Sequence, residues 1–208
     1  AYTWRMKYRE TLTPDSFYVS LKGLEQWAET TDKPMDRAVL NSLIAGIYAD
    51  YASSNRWQIR QRTNIVDEAP SSDIREWSSN MFVQQVMKYT AGSLQDTGLL
   101  LNTSSRIYIP FVKLGDTSEY YHHDMLHLLG SRGVDALNNV MGLDKDSVVQ
   151  TSVENVYLGM LDAYEKAGMD DGYVLCKLDY LNWKRNSDPT FVPYRAPQNL
   201  IGLTQDPY

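Results

Sequence analysis

Cysteine is almost missing from this chain. Cys176 stands alone among 208 residues, so no internal disulfide can form and every zinc site built on several cysteines is excluded. Long apolar runs are missing too. The longest uncharged apolar stretches, such as Leu99–Leu101 and Leu126–Leu129, are far too short to cross a bilayer, and no membrane partner is expected. The opening AYTWRMKYRE carries a charge every second or third residue, which does not suit a secretory leader and points to synthesis in the cytosol. The 12 glycines are scattered and never form G-x-G-x-x-G or a P-loop. No serine sits in a nucleophile elbow, Cys176 lies in an apolar helical context, and no carboxylates form a recognisable catalytic pair. These gaps argue against an enzyme.

What the chain does contain is ordinary globular material: 43% hydrophobic and 22% charged residues, enough for one domain with a real core. The net charge of −6 excludes a broad basic field but leaves room for a local basic groove. Fifteen tyrosines and five tryptophans fit either a packed core or half-buried subunit contacts.

Helical spacing dominates. Thr13 caps a helix with Pro14 in its first turn, and Phe17, Leu21, Leu24 and Trp27 form its apolar face. A second helix starts at Asp32-Lys33-Pro34, carries Met35, Val39, Leu43, Ile44, Ile47, Tyr48 and Tyr51, and ends near Ser53-Ser54-Asn55. The short polar turn between the two predicts antiparallel packing. Over Arg56–Val66 the period changes to alternation, with Trp57, Ile59 and Ile65 on one parity and Arg56, Gln58, Arg60 and Arg62 on the other, which predicts a strand with a basic face. Ser71-Ser72-Asp73 caps a third helix through Trp77, Met81, Val86 and Met87, with Gly92 and Gly98 marking its end. Arg106–Lys113 is a second β-like run, kept to an edge by Pro110.

Asp116-Thr117-Ser118 caps a fourth helix holding Tyr120, Tyr121 and the histidines, interrupted by Gly130 and Gly133. Asp146–Ala167 is the clearest helix, with Val149, Val153, Val156, Tyr157, Met160, Leu161 and Tyr164 on one face and Gly168 as its stop. A short helix over Tyr173–Trp183 follows, and Asp170-Asp171 reads as a helix start. Residues 1–186 therefore form one mainly α domain with minor β or extended segments, and residues 187–208, with four of the eight prolines, an extended tail.

The three histidines crowd into six residues. His123 and His127, four apart on one predicted helix face, give a metal-site alternative, and with Asp124 they spell H-D-x-x-H, which looks like the zinc motif of a family of quinone-biosynthesis proteins. That family's further acidic ligand falls where this chain has Asn138 and Asn139, and the next glutamate is Glu154. Ordinary polar and core histidines on an amphipathic helix are the favoured reading, with no metal expected there. The arginines carry more information, because the guanidinium fork suits phosphate. Arg60 and Arg62 line the basic alternating segment, Arg106 follows a polar run that includes Ser104 and Ser105, and Arg132 precedes Gly133-Val134-Asp135. Hydroxyls at 104 and 105 add sugar or phosphate bonds.

Several of these stretches resemble the coat proteins of tobamoviruses and their rod-shaped relatives. Thr13-Pro14-Asp15-Ser16-Phe17-Tyr18-Val19-Ser20-Leu21 resembles that family's T-P-S-Q-F-V-F-L-S start, and Asp36-Arg37-Ala38-Val39-Leu40 falls where the family has an Arg followed by apolar residues. Asn102-Thr103-Ser104-Ser105-Arg106-Ile107 is similar to D-T-R-N-R-I, with Ser104 in place of the first Arg, and Arg132-Gly133-Val134-Asp135 is similar to R-R-V-D. In chain length the pecluvirus coat proteins are the nearest subgroup. The resemblance implies a four-helix-bundle core with an RNA groove at one end, single-stranded RNA and many copies of the chain itself as partners, and a location in virions and host cytoplasm. It also implies RNA contacts at Arg37, Arg106 and Asp135. Carboxylates repelling between subunits, with Asp50 and Asp73 as candidates, would loosen the assembly when ionised and tighten it when protonated or bound to calcium, the one cofactor expected.

Overall fold

The computed structural model describes residues 14–62, 73–108, 123–188 and 190–191. Among them the chain is mainly helical, with eight α-helices, two 3-10 turns and no strand. Helix α1 (Pro14–Thr30) opens on Pro14, as expected, and the expected cap Thr13 lies outside the described residues. Its buried face is Phe17, Leu21, Leu24 and Ala28; Trp27, assigned to that face from spacing, is instead 53% exposed. Ala28 stands four residues after Leu24 and continues the stripe one position further round, so the indole is left on the rim.

Helix α2 (Pro34–Ser54) begins with Pro34 in its first turn, where a missing N–H costs nothing, and ends at Asn55, as the sequence predicted. It runs antiparallel to α1: Phe17 stacks on Tyr51, Glu25 meets Tyr48, and Arg37 meets the carbonyl of Thr31. It also packs on α4 and α6, so small residues such as Ala38, Ala45, Ala49 and Ala52 are buried around much of its circumference.

The predicted strand at Arg56–Val66 is a correction. Arg56–Arg60 forms a one-turn helix, α3, and residues 63–66 lie outside the described residues. No partner strand is present among the described residues, and a helix satisfies its amides locally, with Ile59 N–H bonding the carbonyl of Asn55 at 3.0 Å. Ile59 is buried and Trp57, placed beside it by alternation, is 73% exposed. Arg56 fixes the turn by donating to the main-chain carbonyls of Met141 and Asn139.

Asp73 caps only a 3-10 turn, Ile74–Glu76, and the third long helix, α4 (Ser79–Ser93), starts after Ser78 and runs through Gly92. Asp96 caps the short α5 (Thr97–Leu101), which contains Gly98. The β-like reading at Arg106 is also corrected: Ser105–Tyr108 is a 3-10 turn, and 109–113 lie outside the described residues.

Helix α6 spans Met125–Val140 with Asp124 as its cap, its carboxylate accepting the His127 N–H at 2.6 Å. The start expected at 116–118 lies outside the described residues. Gly130 and Gly133 do not interrupt α6. A Cβ at Gly130 would run into the Met160 thioether, and one at Gly133 would lie 2.7 Å from the Thr90 methyl, so these glycines let α7 and α4 approach the helix backbone. Helix α7 (Asp146–Ala167) has the bounds read from sequence, and Gly168 ends it at φ +64°, a conformation that side-chain-bearing residues avoid. Helix α8 (Asp170–Ser187) is longer than the predicted Tyr173–Trp183 and passes one residue beyond the tail boundary; 192–208 lie outside the described residues.

Contacts between α2 and α6 progress from Ser42–Arg132 through Asp50–Asn139 to Arg56–Met141, so these two helices run in the same direction. The packing order is α1 on α2, α2 on α4 and α6, α6 on α7, and α7 on α8. One core lies among α1, α2, α4, α6 and the start of α7; a second joins the start of α6 to the end of α7 and to Cys176 of α8.

Candidate nucleic-acid interface

The end of the fold where α2 and α6 begin gathers residues that are far apart in sequence. Arg37 is exposed on the first turn of α2, with one guanidinium nitrogen on the carbonyl that closes α1. The chain after α5 folds back to this end through an antiparallel bridge between Ser104 and Asp124, in which Ser105 N–H bonds the His123 carbonyl and Met125 N–H bonds the Thr103 carbonyl, each at 2.9 Å. The 105–108 turn then lies beside α2. Tyr108 packs on the core that holds Ala38, Met125 and Leu126, and its hydroxyl is pushed up first by burial and then by the nearby carboxylate of Asp36. Exposed Arg106 and Ser104, and half-buried Ser105, therefore share one end of the molecule with Arg37.

The other expected RNA contacts are spread out. Arg132 is exposed seven residues into α6, about 10 Å along its axis from Met125. Its Nε donates to Ser42 Oγ at 3.2 Å. Asp135, one turn further, is pushed up by desolvation against an opposing pull from Arg132, and it faces Tyr157. Arg60 and Arg62 belong to the opposite end, near the close of α2 and α6. Arg60 is exposed, whereas Arg62 spends a nitrogen on the carbonyl of Trp77 at 2.9 Å. The basic strand face that was to join them with Arg56 does not form. Asp50 is exposed and accepts from Asn139 at 3.5 Å. Asp73 is engaged within its own segment: the Arg75 side chain and N–H hold its carboxyl below the usual range, and the ion pair measures 2.6 Å.

The histidines do not form the predicted pair. His122 lies outside the described residues, and His123 precedes α6, so it does not share a helix face with His127. His127 is buried, its Nε2 3.7 Å from Asp179 on α8. Asp124 is the element that the motif comparison missed. It caps α6 and accepts the Tyr164 hydroxyl at 2.9 Å, so it ties α6 to α7. An Asp directly before an apolar periodic run is the sequence signal for such a cap. Burial, then the charges of Asp179 and Asp124, push the Cys176 thiol up to about 12, which leaves it a poor nucleophile. Among the described residues no three His, Cys, Asp or Glu side chains are grouped to hold a metal ion.

Exposed apolar side chains mark the two ends of the packing order: Val19 and Trp27 on α1, and Leu158, Val174 and Leu178 on α7 and α8. No described helix is long and apolar enough to cross a membrane. Known proteins give no guide to this arrangement. No family model, curated protein or solved structure matches the chain. The functional reading therefore rests on the residues themselves.

Proposed function

We propose that this chain is a structural coat subunit that polymerises into a helical rod around single-stranded RNA. The observation that carries this reading is the meeting of Arg37 and Arg106, with Ser104 and Ser105, at one end of the fold. Two exposed guanidinium groups beside hydroxyl groups suit phosphate and ribose rather than a base edge, so binding is indifferent to sequence. A subunit with a net charge of −6 holds RNA in this way only when many copies share one strand. In the same proposal α2, α4, α6 and α7 correspond to the four-helix bundle of the rod-shaped coat proteins, with this end as the RNA groove.

Self-association is favoured by the exposed apolar side chains. The set on α1 differs from the set on α7 and α8, and a contact between two unlike surfaces is heterologous, the kind that propagates into a ring or an open helix. Asp50 remains a candidate for the carboxylate switch between subunits, whereas Asp73, paired with Arg75, stays ionised in mild acid and contributes little to it.

RNA binding by the unassembled subunit tests the assignment, read as fluorescence anisotropy of a labelled oligouridylate over a series of salt concentrations. The double variant Arg37→Gln/Arg106→Gln should weaken binding and lower the salt slope by about two, one for each lost phosphate contact. Arg60→Gln should leave both unchanged. Equal affinity and slope in the double variant and the wild type would remove this end of the molecule from consideration.

A further inference from the structure

Between α4, α6 and α7 the surface opens into a cleft of about 290 Å³, walled by Met87, Thr90, Leu126, Leu137, Val156 and Met160. None of its lining residues is ionisable. Two of them are not explained by the packing of the fold.

The first is Thr90, which is 2% exposed. Hydroxyls on helices usually bond back to the carbonyl one turn earlier. Thr30, Thr151 and Ser152 all do so, at 2.8 to 2.9 Å. Thr90 does not: its methyl is lodged against α6 at Gly133, and its hydroxyl oxygen has no hydrogen-bond partner in the protein. A buried hydroxyl in that state costs free energy until something bonds to it.

The second is Gly159. A glycine inside a 22-residue helix is unfavourable relative to alanine. Gly130, Gly133 and Gly172 repay that by close packing, since a Cβ at each would overlap a neighbouring side chain. A Cβ at Gly159 would meet nothing within 4 Å. Its missing side chain keeps the cleft open.

We propose that this cleft binds a small neutral molecule, mainly apolar, with one hydrogen-bonding group directed at Thr90. Its volume is nearly twice the roughly 150 Å³ of a cavity that accommodates benzene, so two fused rings or a chain of similar bulk fit. Met87 and Met160 are unbranched and polarizable, and they let the wall adjust until the ligand reaches the hydroxyl. A charged ligand finds no counter-charge there and is excluded. The inference is independent of the coat-protein reading.

Calorimetric titration of the full chain with 2-naphthol tests it, with naphthalene and 2-naphthoate as controls. The expected result is saturable one-to-one binding of 2-naphthol and, for 2-naphthoate, binding weaker by at least about tenfold. Gly159→Leu should abolish binding without lowering the unfolding temperature, because the new side chain enters open space. Thr90→Val, of the same shape, should weaken 2-naphthol about tenfold and leave naphthalene unchanged. Absence of saturable binding, or equal binding by Gly159→Leu, would overturn the proposal. So would self-association of the wild type, seen by sedimentation and lost in Gly159→Leu while 2-naphthol does not bind, since the occupant would then be a side chain of a second copy.

Discussion

Glu25 is the buried charge on which α1, α2 and α4 converge, and its replacement should separate two kinds of loss. Its Oε1 accepts both the Tyr48 hydroxyl at 2.6 Å and the Tyr89 hydroxyl at 2.8 Å, while Oε2 takes Lys22 at 2.7 Å. Tyr48 is 0% and Tyr89 6% exposed, so neither hydroxyl can turn to water. Glu25→Ala strands both, at roughly 1–3 kcal/mol each. Relief from burying a carboxylate offsets part of this, and the half-exposed Lys22 adds at most about 1 kcal/mol. The net loss should be about 3 kcal/mol. Glu25→Gln keeps a carbonyl oxygen where Oε1 was, retains both tyrosine bonds without their charge, and sets an amide against Lys22. It should cost about 1–2 kcal/mol.

Urea unfolding of the unassembled chain, followed by helical circular dichroism, measures both values. Burial pushes the Glu25 carboxyl up, but the bonds from Lys22, Tyr48 and Tyr89 outweigh it and hold it below its usual 4.5. A carboxyl depressed in the folded state contributes stability that is present above that value and is lost as pH falls through the lower folded value. The advantage of wild type over Glu25→Gln should therefore shrink on acidification below 4.5. Equal losses for the Ala and Gln variants, or a gap between wild type and Gln that grows in acid, would refute this account of the node.

Three further outcomes follow from the same kind of reasoning. Asp124→Ala removes the α6 cap and strands the buried Tyr164 hydroxyl, and thermal unfolding should show a loss of about 2–4 kcal/mol. Gly172→Ala should destabilise more than Gly130→Ala in the same assay: the first drives a methyl into the Tyr164 ring, which Asp124 holds in place, whereas the second meets the flexible end of Met160. Burial holds Asp179 above its usual 3.8 against an opposing pull from His127, so the ionised form lowers stability above the folded value. Asp179→Asn should be the more stable protein at neutral pH, with the difference closing below 3.8.

Where a local rule acted alone, the sequence was legible. Asp146–Ala167 was readable because an apolar face of seven residues ends at a glycine whose φ of +64° stops a helix by itself. Pro14 and Pro34 marked two starts for the same reason. Tertiary partners overrode the pattern elsewhere. Trp57 and Ile59 alternate like a strand, yet the carbonyls of Met141 and Asn139 hold Arg56 in a helical turn, and nothing near Arg56 in sequence foretells them. Gly130 and Gly133 looked like breaks, but they are contact points whose reason lies in Met160 and Thr90. The same limit applies to the candidate interface. The arginines were identifiable by type, whereas the meeting of Arg37 and Arg106 depends on the Ser104–Asp124 bridge, and the distance of Arg60 and Arg62 from them depends on α3.

The central claim is assembly around RNA, and the most direct measurement is negative-stain electron microscopy of the purified native protein, with the ratio of absorbance at 260 and 280 nm taken on the same fraction. The account predicts rods whose absorbance ratio reports nucleic acid, and loss of that nucleic acid in Arg37→Gln/Arg106→Gln. Small particles free of nucleic acid would contradict it.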